Sequence, residues 1–186
     1  MCYYYIRCNF TFYDNFTALT IMRGGLQVYS IGDRVVYPMY GAGIIEGIED
    51  RDIDGKVITY YVLKIPVNNL KIMVSTEKAE KSGLRGIVPP DDVMHIVEDA
   101  DIIEMSDNWN QRYQDNMARL KTGDLFKVMQ VFKTLFVREK NKSLSNIEKK
   151  LMGTARQIIL SEIILSKDVD KHGAEELLMQ GITISI

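Results

Sequence analysis

Two cysteines, two histidines, four prolines and one tryptophan in 186 residues leave several classes of protein without their raw material. Both cysteines, Cys2 and Cys8, lie in the first ten residues, so no disulfide framework and no Cys-x-x-Cys redox motif serves the rest of the chain. His95 and His172 stand far apart and unaccompanied. Each reads as a solvated side chain, not as part of a zinc-type cluster, and neither a metal nor any other cofactor is expected. No apolar run approaches the roughly 20 residues that a membrane-spanning helix needs, so no membrane partner is expected and the cytoplasm is the expected compartment. Paired catalytic groups and a phosphate-cradling loop are missing too. Gly41-Ala42-Gly43 has Glu46 where a dinucleotide fingerprint needs its last glycine. The chain reads as non-enzymatic.

Net charge is also scarce, at −2, but it is unevenly spread. Residues 89–104 carry six acids and no lysine or arginine, whereas residues 106–167 carry 12 lysines and arginines against 6 acids, a surplus of six. A polyanion feels local charge, not the average. A solvated helix surface and a phosphate-binding face are both open readings of the basic block. The apolar fraction of 46% suffices for a folded core, and the length fits one ordinary domain or two small ones.

Residues 1–27 are aromatic without a period and lack the basic start and cleavage site of a signal peptide. They are expected to be a non-native or disordered extension. Arg23-Gly24-Gly25 can be encoded by AGA-GGA-GGA, a ribosome-binding purine run, and Val28 would follow as a GTG start. A genuine extension, or a start at Met22, is the alternative, and the intact mass of the native protein decides.

Residues 28–80 have the pattern of short strands on tight turns. Gly32-Asp33 leads into a strand that Pro38 ends. A second strand follows Gly41 and Gly43, which permit a tight turn and a close backbone approach. Asp54-Gly55 signals a hairpin. Val57, Thr59, Tyr61, Leu63 and Ile65 then share one face by period two. Asn68-Asn69 turns the chain again before Leu70, Ile72 and Val74. The prediction is a small, strongly bent barrel of four or five strands. Residues 81–104 read as a connection, within which Asp91 caps a helix through about Val97 with Val93, Ile96 and Val97 inward.

Residues 105–186 read as an all-α bundle. Ser106 or Asp107 is the expected cap of a helix running from Asp107 to Lys121. Its Trp109, Tyr113, Met117 and Leu120 would form one apolar face. Gly123 ends it and Asp124 caps the next helix, with Leu125, Val128, Met129, Phe132, Leu135 and Phe136 inward. Ser145-x-x-Glu148 fits a capping box opening a long helix with Ile147, Leu151, Ala155, Ile158, Ile159 and Ile163 inward. A last helix covers Ala174 to Met179. The basic residues, Lys133 and Arg112 among them, are expected on the outside. Trp109 has two readings: packed into its own domain, as most tryptophan is, or exposed for a partner, where a flat ring beside Asn108 and Arg112 suits a base step.

The run Gly32-Asp33-x-Val-Val-Tyr-Pro-x-Tyr-Gly41, the strand Tyr61-Val-Leu-Lys64 and the helical Asn108-Trp109-x-x-Arg112-Tyr113 together resemble the CarD family of bacterial transcription regulators. So do Leu120-x-x-Gly123-Asp124 and the segment from Leu144 through Ser145, Glu148 and Lys149 to Gln157. The resemblance covers Tyr29 to about Asp170. The β module alone is also similar to the polymerase-interacting module of transcription-repair coupling factors. It implies an α+β, two-domain protein: a Tudor-like barrel that docks on the RNA polymerase β subunit, then a helical domain on promoter DNA at the upstream edge of the melted region. The minor groove and the phosphates would be the DNA contacts, and the factor, a monomer, would stabilise the open complex. By position Trp109 is the wedge and Arg112 a neighbouring DNA contact, with Asn108, Arg119, Lys149, Lys150 and Arg156 as further DNA-binding candidates. Arg51, Met73 and Tyr40 are the candidates for polymerase binding. Met73 stands where some members have a second polymerase-contacting arginine, and Gln114 where some have a DNA-contacting lysine. The competing expectation is a protein–protein adaptor on polymerase without DNA contact, in which Trp109 is core.

Overall fold

The computed structural model describes residues 29–185; the expectations about residues 1–27 and Val28 lie outside them. Five strands come first: β1 (Arg34–Tyr37), β2 (Gly41–Ile53), β3 (Lys56–Ile65), β4 (Leu70–Ser75) and β5 (Arg85–Gly86). They form one antiparallel sheet of order β4-β3-β2-β1-β5. Five helices follow: α1 (Pro90–Asp99), α2 (Trp109–Lys121), α3 (Leu125–Asn141), α4 (Asn146–Lys167) and α5 (Lys171–Ser185). The fold class is α+β, as expected.

The turn chemistry works as the residue types dictate. Asp54 and Gly55 take φ of 54° and 77°, the two positive values that a tight hairpin requires. Asn69, at φ 53°, makes the turn into β4. A bulge shifts the β2–β3 register between Ile45 and Gly47, which bends the long strand. Tyr61, Leu63 and Ile65 are buried as predicted, but Val57 is 63% exposed. The β2–β3 hairpin therefore projects beyond the core that Tyr29, Val35, Ile45, Tyr61, Leu63, Val74, Ala79 and Leu84 enclose.

The helix expected within the 81–104 connection is α1. Pro90 occupies the first turn of α1, after Pro89 as the cap residue, so Asp91 is not the cap; a proline there loses no helical hydrogen bond. Val93 and Val97 of α1 join the core shared by all the helices, so the helical unit begins near residue 90. The cap of α2 is Asn108, whose side chain accepts from the Gln111 N–H, not Ser106 or Asp107. Asp124 caps α3, and the Ser145/Glu148 capping box opens α4. Lys133 corrects the expectation that every cation lies outside. It is 1% exposed and its Nζ donates to the Glu98 carbonyl at 2.7 Å, near the end of α1. Burial holds its ammonium below the usual lysine pKa, against the pull of Asp101, Asp99 and Glu98.

Sheet and helices meet where β2 packs on α4. Gly41 sits there at φ +102°, and a Cβ on it would stand 2.3 Å from Ser161 Oγ. This is the close approach expected of that glycine. Gly41→Ala is predicted to cost about 1–3 kcal/mol in backbone strain and more from the collision. At about 2–4 °C per kcal/mol, thermal unfolding will show a fall of several degrees. Gly47→Ala is the control, since nothing lies within 4 Å of its added Cβ; it should leave the transition nearly in place.

Candidate functional site

Trp109 opens α2 and is 44% exposed. One face of its ring stacks on Tyr113, with centroids 6.1 Å apart and planes 11° from parallel. Ile147 and Leu151 of α4 line the same narrow cleft. Ile147, read from the sequence as core, is 39% exposed beside it. An indole and an isoleucine thus form an apolar ledge open to solvent, and Ser106, Asn108, Asn110, Gln111 and Gln114 line a separate polar recess at the same end of α2. Amides in that position can donate to and accept from base edges and phosphate oxygens. Of the apolar stripe expected on α2, Leu120 is buried and Tyr113 and Met117 pack against the core, while Trp109 is exposed and Arg112 and Asn116 are buried beside them.

Arg112 is accordingly corrected from a DNA contact to a support. It is 8% exposed. Its Nε donates to Glu148 Oε1 at 2.9 Å, and Nη1 to the carbonyls of Ser106 at 2.7 Å and Asp107 at 3.2 Å. A guanidinium used in this way has little left for phosphate. Glu148, equally buried, also accepts from the Ser145 N–H and hydroxyl, with Arg138 Nε at 3.6 Å. Burial raises the Glu148 pKa, but the Ser145 hydrogen bonds, the Arg112 hydrogen bond and the Arg112 charge outweigh it, and the carboxyl lies below its usual value. The pair fixes α2, and the ledge with it, to the start of α4.

The other cations are less united. Lys149 and Lys150 are exposed on the first turns of α4. Lys150 follows Ile147 by three residues, which puts both on the ledge side. Lys149 and Arg156 share the neighbouring stripe, and Arg156 is paired with Glu175 of α5 at 3.3 Å. Arg119, near the far end of α2, donates to Gln130 at 2.8 Å and lines an open recess with Lys127 and Thr122.

The sheet carries a second candidate surface. Cross-strand partners share a face, and the pairs Arg51↔Ile58, Gly47↔Val62 and Val62↔Met73 put Arg51 and Met73 on the same outer face. Arg51, on the projecting hairpin, pairs with Glu49 at 3.0 Å. Between the two, Gly47 and Val62 floor a shallow recess flanked by Glu46, Glu49 and Lys71. Glu46 bridges Lys71 at 2.8 Å and Lys64 at 3.2 Å. Tyr40 does not join this group. It lies at the opposite end of β2, stacked on Tyr37. Among the described residues, seven of the eleven exposed large apolar side chains belong to the β module (Ile31, Tyr40, Ile48, Ile53, Val57, Leu70 and Met73), and of these Ile53 and Met73 share the outer face with Arg51. No group of three or more possible metal ligands occurs among the described residues, and no helix there is long and apolar enough to cross a membrane.

Residues 29–88 match the family model described as CarD-like/TRCF RID domain. Residues 92–179 match the model described as CarD, C-terminal domain. The chain is also 33% identical over 145 residues to "Putative transcription factor YdeB" of Bacillus subtilis (strain 168), covering 76% of this chain and 94% of that protein. The chain belongs to the CarD family. The boundary between the two matched regions falls at residues 89–91, where α1 begins. Both halves of the family pattern are present in order, and they place the protein among transcription regulators.

Sequence reading missed the role of Glu148 beyond its cap, and all of Glu162, Arg85 and the exposure of Ile147. A signal existed for Glu162: it is a lone acid within Ile158-Ile-Leu-Ser-Glu-Ile-Ile-Leu165, where a helix has no polar side to offer it.

Two outcomes follow from this geometry. Free-protein tryptophan fluorescence will be that of a solvated indole, readily quenched by acrylamide, and Trp109→Ala will cost about 1 kcal/mol or less. Glu148→Gln will cost about 3–5 kcal/mol at pH 7, because it strands Arg112. A carboxyl with a depressed folded pKa contributes stability above its unfolded pKa of about 4.3 and loses it as pH falls through the folded value. Urea unfolding of Glu148→Gln will therefore vary less with pH than wild type below about pH 4.3.

Proposed function

We propose that this CarD-family protein bridges RNA polymerase and promoter DNA and stabilises the open complex. The outer sheet face with Arg51 and Met73 docks on the polymerase β subunit, and the Trp109 ledge stands at the upstream edge of the melted region, in the minor groove. The observation that carries this reading is the indole itself: it is half exposed, backed by Tyr113, and held by a helix that a buried ion pair locks in place. A ring presented in this way suits a splayed base step and is excluded from a stacked one.

The mechanism is a shift of population. A factor that makes contacts only in the open complex favours it by that differential free energy. A coupling of about 1–3 kcal/mol changes the ratio roughly 5–150-fold. Asn108 and the neighbouring amides supply hydrogen bonds at the groove, while Lys150, Lys149 and Arg119 supply phosphate contacts. Arg156, already paired, contributes less. Contacts of this kind give affinity without an operator sequence, and they weaken with salt. Free DNA is bound weakly, and docking on polymerase supplies the effective concentration.

Trp109→Ala is expected to retain β-subunit binding and to shorten the lifetime of open complexes, measured by competitor challenge on a polymerase–promoter template. An unchanged lifetime removes the wedge. Arg51→Glu is expected to weaken recovery of the β subunit in pull-down while leaving the helical domain folded, and undiminished recovery removes Arg51 from that surface.

A further inference from the structure

The β module and the helical domain meet through buried polar groups as well as apolar ones. Glu162 of α4 is fully buried. Its Oε1 accepts from Arg85 Nη1 at 2.7 Å and from the Val88 N–H at 2.9 Å, and its Oε2 from Arg85 Nη2 at 2.9 Å. Arg85 stands on β5, paired to β1. Its Nε and Nη2 also donate to the Gly123 carbonyl, between α2 and α3, at 2.9 and 2.6 Å. One guanidinium thus ties the sheet to α4 and to the turn that follows α2.

Further bonds surround this pair. Ser161 Oγ accepts from the Ala42 N–H at 2.7 Å, and Ser166 Oγ donates to the Val88 carbonyl at 2.8 Å. Arg34 donates to the Leu165 carbonyl and pairs with Asp168 at 2.7 Å. Val36, Ala42 and Leu165 form the apolar centre of the contact. Domains within a chain ordinarily move relative to each other unless their interface is large and apolar. Here a different restraint operates. A two-pronged guanidinium–carboxylate pair fixes angle as well as distance, and separating it would leave a carboxylate in a dry site.

We propose that the buried Glu162–Arg85 pair makes the two domains one rigid body, and that Glu162 is a positioning residue that sets where Trp109 stands relative to the sheet's outer face. The functional part of this inference rests on the bridging role proposed above. Rigidity matters there because a ledge docked through the other domain meets the DNA fork only at one reach and one angle.

The test uses the full chain and Glu162→Gln, which keeps the side-chain shape and removes the charge. Residual dipolar couplings of both domains in the wild type will fit a single alignment tensor; those of Glu162→Gln will require two. The variant will hold its affinity for the β subunit and shorten the open-complex lifetime by about fivefold or more. One tensor in the variant overturns the proposal, and so do two tensors with an unchanged lifetime. Should Glu162→Gln fail to fold, Arg85→Lys takes its place under the same criteria, since it keeps the positive charge and loses the two-pronged geometry. A wild-type protein that does not prolong the open complex overturns the bridging role alone, because the tensors judge the rigid body without polymerase or DNA.

Discussion

Two carboxylates taken out of water on a single helix constrain most of this structure. Glu148 and Glu162 are both buried, 14 residues apart on α4, which is about 21 Å at 1.5 Å per residue. A buried carboxylate without a cation costs several kcal/mol, so every low-energy arrangement must bring a guanidinium to each. Arg112 comes from α2 and Arg85 from β5. The first pairing fixes the helix that presents Trp109, and the second fixes the sheet that presents Arg51 and Met73. α4 is therefore the spine of the molecule, and its two ends are specified by charge where apolar packing alone would tolerate sliding.

Such pairs are poor contributors to net stability, because desolvation offsets most of the attraction. Their value is directional. An apolar contact such as Val36 against Leu165 holds surfaces together without defining their angle. Glu162 instead receives three hydrogen bonds, from two different directions along residues 85–88. Gly41 allows this closeness by having no side chain in front of Ser161. The polar pair, the serine and the glycine act at one contact, where α4 meets the sheet.

Local chemistry was the part most legible in the sequence. The Asp54-Gly55 hairpin, the Asp124 cap, the Ser145–Glu148 capping box and the period-two burial of Tyr61, Leu63 and Ile65 all depend on residues within a few positions of one another. What failed depended on distant partners. Period analysis assigned Ile147 to an apolar face and Arg112 and Lys133 to polar ones, and the structure exchanges these places; for Trp109 it left packed and exposed readings open. Arg112 goes inside because Glu148, 36 residues away, is there to receive it. Lys133 goes inside because the end of α1 offers it a carbonyl. A hydrophobicity pattern treats a charge as an outward vote and has no means of seeing its partner. The short helix within 81–104 was legible too: its valines, Val93 and Val97, face the helical core as their spacing suggests, and only its start differs, at Pro90 with Pro89 as cap residue.

The exposed residues complete the physical picture. Ile53 and Met73 on the outer sheet face, and Trp109 and Ile147 at the ledge, keep a large share of their apolar surface in water, and α4 joins the two surfaces. Ordering a loop or a swinging domain on binding would consume part of the contact energy. A ledge already stacked on Tyr113 and bolted through Arg112 to α4 loses little freedom when it meets a partner. A modest number of contacts can then shift a closed–open equilibrium, because little of their free energy goes into arranging the protein.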